Sequence, residues 1–276
     1  LKVTGGKWVV PPPQDGSWCA NGVVRAKAHA RFVGSPCLFV ASNRENLSFH
    51  EMSTRAASQD WDRHDQLPDI QNRFCGAIVR QVPEGLRPDF PLLKVDDPIR
   101  AFMELGAAAR ARMKGVVVAV TGSAGKSSVV GMANHVAAAF LKTGASYDNY
   151  NSRVGMLICL SSMAADTELA ILEVAVSAIN APEYIPIKTV SPDIAVITHI
   201  AASHLKPGET LNDIARKKAN IMLGVRKGGV VVLNRDDLYF DYFVERADQA
   251  GLGIVSVGLH DSSDVRLIEY TAQNAS

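Results

Sequence analysis

A glycine-rich loop at residues 121–128 constrains the fold and function of this chain more than any other segment. It reads Thr121-Gly122-Ser123-Ala124-Gly125-Lys126-Ser127-Ser128, and it follows an apolar, β-branched run at residues 116–120. Residues 129–141 then repeat apolar side chains at helical spacing, so the sequence predicts a strand, a loop and a helix in that order. Such a loop brings backbone amides and a helix N-terminus to a phosphate group.

The residue types inside the loop indicate which part of a nucleotide each would bind. Lys126 would reach the β- and γ-phosphates, and Ser127 would offer its hydroxyl to Mg²⁺. The longer standard pattern needs glycine where this chain has Val120, so the loop has the shortened form T-G-S-x-G-K-S. The alternative is an ordinary turn between strand and helix that contains Gly-Lys-Ser. Because both flanks fit, we favour nucleotide binding over this alternative.

Composition excludes several classes of partner. Of the 276 residues, 47% are hydrophobic and 21% charged, and the net charge of +1 gives no indication of nucleic acid as a partner. The four cysteines have no metal-ligand spacing and favour reduced thiols. The sequence contains no apolar run long enough for a membrane span and opens on no signal-peptide pattern, so we expect a cytoplasmic protein.

Strand and helix signals alternate after the loop and predict an α/β fold with a mostly parallel sheet flanked by helices. The strands are expected at 170–174, 194–198, 230–233 and 254–257, and the helices near 182–188, 211–223 and 239–250. Before the loop, Asp97-Pro98 begins a helix that ends at Lys114-Gly115. We therefore predict a smaller α/β domain at 1–114 and a central P-loop domain at 115–276.

Chemically capable side chains follow the predicted strands. Glu173 ends an apolar strand, where it is either a Mg²⁺ ligand or a solvent-facing residue. His204 follows the next strand and could ligate metal or transfer a proton, and His199 lies closer to that strand end and competes for the role. On the helix that follows, Lys217 and Lys218 taken alone predict a solvated basic face.

Two further polar segments are ambiguous on their own. Residues 149–155, which include Asn149 and Asn151, either bind a substrate or form a loop. Asn234 and the Asp236-Asp237 pair follow a strand, and the aspartates could simply cap the next helix.

In their order along the chain, these segments resemble the central domain of the Mur ligases, whose phosphate loop has the same shortened form. The resembling segments are the loop, 149–155 (N-x-N-x-x-x-G), 172–174 (strand-end glutamate), 201–205 (histidine segment), 214–221 (lysine helix) and 232–237 (N-x-D-D). Residues 34–41, 76–79 and 95–98 are similar, more loosely, to the first domain of the D-alanyl-D-alanine-adding members. The chain has Ala175 where glycine is usual and His199 where asparagine is common.

The resemblance implies a role for each of these residues. It assigns a second Mg²⁺ to His204, a carbamylated side chain to Lys218 and contact with the acceptor to Asn149 and Asn151. It also places Asn234 and Asp236 on the nucleotide side, near the adenine. Together with the loop, it implies that Lys126, Glu173, His204 and Lys218 form the catalytic group.

The activity implied by the resemblance is ATP-dependent joining of a carboxylate to an amine through an acyl phosphate, as in peptidoglycan precursor synthesis. Its partners would be small carboxylate and amine substrates, and the family's third domain would be missing or supplied elsewhere. Two alternatives remain open: a related amino-acid ligase acting on another scaffold, as folylpolyglutamate and cyanophycin synthetases do, and a nucleotide-binding module without ligase activity.

Overall fold

The computed structural model describes residues 2–24, 36–45, 61–147, 150–180, 185–202 and 207–269. The strands are β1 (Lys7–Val10), β2 (Gly22–Val24), β3 (Cys37–Val40), β4 (Gly76–Val79), β5 (Leu92–Lys94), β6 (Val116–Thr121), β7 (Thr143–Ala145), β8 (Leu169–Glu173), β9 (Ile194–Ile197), β10 (Val230–Asn234), β11 (Gly253–Gly258) and β12 (Val265–Arg266). The α-helices are α1 (Leu67–Ile70), α2 (Pro98–Arg112), α3 (Lys126–Ala137), α4 (Arg153–Ser161), α5 (Val176–Ile179), α6 (Ile185–Val190), α7 (Leu211–Ala219) and α8 (Phe240–Gln249). Two 3₁₀ helices lie at Gln71–Arg73 and Asn220–Gly224.

Contacts divide the chain into two compact units. The first contains residues 1–114 and 147–167, and the second contains residues 115–146 and 168–276. Residues 147–167 were expected in the central domain, but they group with residues 1–114, which precede that domain. The domain limits at 1–114 and 115–276 stay a prediction.

The first unit is built on a mixed sheet in the order β1-β5-β4-β3-β2, in which β1 pairs antiparallel with β5 and the other described pairs are parallel. Its core includes Phe39, Phe102 and Ile99, the last two from α2. Asp97 caps α2 by accepting hydrogen bonds from the backbone N–H groups of Ile99 and Arg100, as Asp-Pro at a helix start predicts.

Helix α4 joins this core, although its first residues, up to Gly155, belong to a segment interpreted from the sequence only as a substrate-binding segment or a loop. The Ser152 hydroxyl accepts a hydrogen bond from the Gly155 N–H and caps the helix, and Val154, Leu157 and Ile158 are buried in the core of the first unit. A Cβ at Gly155 would lie 2.6 Å from the carbonyl carbon of Tyr150. Glycine is therefore needed where the chain turns back into α4, which explains the spacing of the 149–155 segment.

The second unit contains a sheet in the order β12-β11-β10-β9-β6-β8-β7, and every strand pair recorded in it is parallel. Helix α3 packs against β6, β7 and β8, and α8 packs against β10 and β11. The prediction of a mostly parallel sheet flanked by helices is confirmed. Because all these strands run the same way, the phosphate loop, Glu173, His199 and Asn234 lie at one edge of the sheet.

Several elements differ from the expectation. Helix α3 begins at Lys126 and ends at Ala137, where the apolar spacing predicted 129–141. The strands β1 and β7 lie in segments without a clear strand pattern, and the expected helix near 182–188 is described only from Ile185 to Val190. None of the helices in the described ranges is long and apolar enough to cross a membrane.

Candidate phosphate-binding site

The loop between β6 and α3 adopts a conformation that requires glycine. Gly122 has φ of +152° and Gly125 has φ of +80°, and the latter is the N-cap of α3. A Cβ at Gly122 would lie 1.8 Å from the hydroxyl oxygen of Thr198. Among the residues that the structure describes, no side chain caps the N-terminus of α3, so its first amides are available to an anionic ligand.

The end of β9 holds this loop in place. The Thr198 hydroxyl lies 2.6 Å from the carbonyl oxygen of Ala124 and 3.2 Å from that of Thr121, so it donates to the loop backbone. The N–H of Ser123 in turn donates to the carbonyl oxygen of His199 at 2.7 Å. The loop is thus positioned by a neighbouring strand as well as by its own sequence. Thr198 was not predicted from the sequence, because its only signal was a hydroxyl at a strand end.

Ser127 and Glu173 form a pair of oxygen donors beside the loop. The Ser127 hydroxyl donates to Oε2 of Glu173 at 2.6 Å, and Glu173 is buried, with 4% of its surface exposed. The N–H of Glu173 donates to the Ser146 hydroxyl at 3.0 Å, which fixes the end of β8. The structure therefore brings together two of the predicted metal ligands and does not support a solvent-facing Glu173.

These donors fit Mg²⁺. A hydroxyl and a carboxylate are hard oxygen ligands, and Mg²⁺ usually takes few protein ligands and completes its shell with water and phosphate oxygens. Across the part of the chain that the structure describes, no cluster of three or more His, Cys, Asp or Glu residues offers an all-protein metal site. In the same part, the buried Thr121 hydroxyl at the start of the loop has no hydrogen-bond partner. The site is therefore completed best by an oxygen-rich ligand.

Lys218 is buried at the loop rather than exposed on a basic helix face. Its Nζ donates to the carbonyl oxygen of Gly122 at 2.7 Å, and 6% of its surface is exposed. Burial, followed by repulsion from the Lys126 ammonium, lowers the pKa of Lys218 to about 8. Lys217, by contrast, is about half exposed and forms an ion pair with Glu209. The prediction of a solvated basic helix face is wrong for Lys218 and holds only for Lys217.

The neighbouring strand ends contribute a second polar group. His199 Nδ1 lies 2.8 Å from Oδ2 of the buried Asp237, which also accepts a hydrogen bond from the N–H of Ile200. Asp236 accepts from the backbone N–H groups of Leu259 and His260, and thereby holds the segment after β11.

The remaining members of the predicted site differ in how far the structure describes them. The side-chain oxygen of Asn234 accepts from the N–H of Asp236 at 3.0 Å, and the N-cap of α8 is Tyr239 rather than either aspartate. Asn151 lies in the first unit, before α4. His204 and Asn149 lie outside the described residues.

Solved structures show that this fold is shared with Mur ligases. A crystal structure of MurF from Acinetobacter baumannii has a TM-score of 0.72 at 23% identity, covering 97% of this chain and 53% of the other. MurF from Thermotoga maritima in complex with ADP has a TM-score of 0.66 at 18% identity, covering 92% and 53% respectively.

Three curated relatives from different bacteria share one name. The chain is 27% identical over 212 residues to UDP-N-acetylmuramoyl-tripeptide–D-alanyl-D-alanine ligase of Buchnera aphidicola, 26% over 200 residues to that of Bacillus subtilis, and 27% over 201 residues to that of Escherichia coli. These alignments cover 72–76% of this chain but only 41–43% of the relatives, so the chain spans less than half their length. The profile of the Mur ligase middle domain matches residues 120–276, which is more than half of the chain. The chain therefore belongs to the Mur ligase family.

Proposed function

We propose that this chain provides the nucleotide-binding core of an ATP-dependent ligase that joins a carboxylate to an amine. The observation that carries the proposal is the loop at residues 121–128, which presents free helix-terminal amides and Lys126 beside the Ser127–Glu173 pair. Backbone amides and a lysine bind phosphate oxygens, and a serine hydroxyl with a carboxylate suits Mg²⁺. Family membership supports the same chemistry.

The reaction would proceed in two steps. A carboxylate oxygen attacks the γ-phosphorus of ATP, so that an acyl phosphate forms as the bond to ADP breaks. An amine then attacks the acyl carbon, and phosphate leaves as the amide bond forms. The loop amides and Lys126 would hold the transferred phosphoryl group in line and neutralise its charge.

Ser127 and Glu173 would hold one Mg²⁺ and His204 a second, and Mg²⁺ when bound supplies further charge neutralisation. Asn234 and Asp236 would contact the nucleotide, and Asn149 and Asn151 the acceptor.

Lys218 would act as a carbamate. Its lowered pKa, near 8, gives the uncharged amine that reacts with CO₂, and its only described hydrogen-bond partner is the neutral Gly122 carbonyl. Carbamylation would replace a buried cation beside Lys126 by an anion, so it would remove the repulsion between the two ammonium groups.

For substrates we infer UDP-N-acetylmuramoyl-tripeptide as the carboxylate and D-alanyl-D-alanine as the amine, because the curated relatives carry these molecules in their names. An ATP-consuming reaction of this kind fits a protein of the cytoplasm. Phosphate release should depend on both substrates, and it is measured with this chain alone and with the C-terminal part of the Escherichia coli relative supplied. Release with simpler carboxylates instead would identify a ligase of another scaffold.

Binding of ATP with Mg²⁺ to the Lys126→Ala variant tests the phosphate site directly. A lost charge-assisted contact is worth about 1.5–3 kcal/mol, so we expect the dissociation constant to rise about 10- to 150-fold. The control is Lys227→Ala, which removes an exposed lysine just before β10, at the opposite edge of the sheet, and should leave affinity within about twofold. Unchanged ATP affinity in Lys126→Ala would remove the assignment of the loop.

A further inference from the structure

The imidazole of His199 is held at the rim of the phosphate loop by a buried carboxylate. Oδ2 of Asp237 lies 2.8 Å from Nδ1, and the Asp237 side chain is 3% exposed while that of His199 is 53% exposed. Asp237 is itself fixed, because Oδ2 also accepts from the N–H of Ile200 and Oδ1 accepts from the N–H of Tyr239. The orientation of the ring is therefore set by the protein before any ligand arrives.

This contact also sets which ring nitrogen carries the proton. An ionised carboxylate only accepts hydrogen bonds, so Nδ1 is the protonated nitrogen and the neutral ring presents a lone pair at Nε2. No hydrogen bond to Nε2 occurs among the residues that the structure describes. The exposed side of the neutral His199 ring is thus a hydrogen-bond acceptor at Nε2.

The strand order places this acceptor beside the phosphate loop, on the side toward β10. Strand β9, which precedes His199, lies between β6, which leads into the loop, and β10, which leads into Asn234. The carbonyl oxygen of His199 accepts the Ser123 N–H of the loop at 2.7 Å. A nucleotide with its phosphates on the loop and its nucleoside toward β10 must therefore pass over His199.

Space for a base exists in that direction. A cavity of about 510 Å³ is lined by Asn212, Ala215, Arg216, Tyr239 and Tyr242, from α7 and the start of α8. Asp237 joins the two features, since one carboxylate oxygen binds His199 and the other binds the N–H of Tyr239 in the cavity wall. The opposite side of the loop carries the Ser127–Glu173 pair, which suits metal and phosphate rather than a sugar.

We propose that Nε2 of His199 accepts a hydrogen bond from a ribose hydroxyl of the bound nucleotide, with Asp237 as the residue that positions the ring. The inference rests on the proposed function, because it requires the phosphates to bind at the loop. On this proposal, His199 makes the site bind ribonucleotides more tightly than deoxyribonucleotides.

The test compares the dissociation constants of ATP, 2′-deoxy-ATP and 3′-deoxy-ATP, each with Mg²⁺, by calorimetry. A hydrogen bond of ordinary strength predicts that the wild-type chain binds at least one deoxy analogue about 3- to 12-fold more weakly than ATP. In His199→Ala this ratio should fall to about 1. The matched control is His135→Ala, in the last turn of α3, which should keep the wild-type ratio.

Asp237→Ala provides a second variant, which keeps the ring but removes the carboxylate that fixes it. Neither the orientation of the ring nor the nitrogen that carries its proton is then set, so the ratio should again fall toward 1. A purely structural effect would instead weaken binding of all three nucleotides equally and leave the ratio unchanged. The inference is wrong if the wild type and His199→Ala prefer ATP over the deoxy analogues to the same extent. It is also wrong if the wild type binds all three nucleotides with equal affinity. If the wild type binds none of them, the phosphate site of the proposed function fails as well.

Discussion

The burial of Lys218 makes a quantitative prediction about stability and pH. Its pKa lies near 8 in the folded chain, against 10.5 for an ordinary lysine, so folding disfavours the ammonium form. A difference of about 2.5 pKa units corresponds to about 3 kcal/mol of destabilisation at neutral pH. This penalty is fully present below pH 8, where the ammonium form persists in both states.

The penalty disappears as pH rises. Between pH 8 and 10.5 the unfolded chain binds more protons at this site than the folded chain does. The free energy of unfolding therefore increases as the pH rises through this range. Lys218→Met has no titrating group there. The unfolding free energy of the wild type relative to this variant should therefore rise by about 2 kcal/mol between pH 7 and 9.5.

Urea unfolding followed by far-ultraviolet circular dichroism at several pH values measures this difference. The buffers must be free of bicarbonate, so that the amine stays unmodified. Lys227→Met is the control, because it removes an exposed lysine and corrects for the loss of one charge. A gap between wild type and Lys218→Met that stays constant with pH, or that shifts in favour of the variant, would refute the burial argument.

Two further pairs of substitutions test the packing of the second unit by urea unfolding. Gly122→Ala should lower the unfolding free energy by about 2–4 kcal/mol and weaken ATP binding at least tenfold. Its φ is positive, and its Cβ would collide with the Thr198 hydroxyl that ties the loop to β9. Gly131→Ala, where a Cβ in mid-helix meets nothing within 4 Å, should instead be neutral or stabilise by up to about 1 kcal/mol. Asp193→Ala should lower the unfolding free energy by about 2–3 kcal/mol, because the buried carboxylate accepts from the Val117 N–H and pairs with Arg226. Arg226→Ala should lower it by less than about 1 kcal/mol if the carboxylate keeps its bond to the Val117 N–H. Equal losses within either pair of variants would contradict the corresponding contact.

The sequence predicted which polar side chains stand at the strand ends, because local order decides their positions. An apolar strand followed by a glycine-rich turn places Lys126 and Ser127 at a helix start, whatever the rest of the chain does. Parallel strands end at one edge, so Glu173 was expected near the loop, and its bond to Ser127 confirms that expectation.

Contacts between residues distant in sequence were not predictable in the same way. Helical spacing shows that Lys217 and Lys218 point in different directions, but not which neighbour lies on either side. Only the fold places Lys218 against the carbonyl of Gly122, 96 positions earlier. Helix α4 was missed for another reason, because Gly155 favours a turn locally and only the close approach to Tyr150 shows why it is tolerated in a helix.

Asp193 and Lys218 are both buried charged residues, and their surroundings point to different roles. Asp193 has a backbone donor and an ion-pair partner in Arg226, which offset its desolvation, so its contribution is to hold strands together. Lys218 has no ion pair among the described residues, bonds only to a neutral carbonyl and lies close enough to Lys126 to be repelled by it. A neutral side chain of similar length in place of Lys218 would make the folded chain more stable. The proposed binding of phosphate at the loop would explain why an amine is kept at this position despite its cost, since stability and function would then oppose each other there.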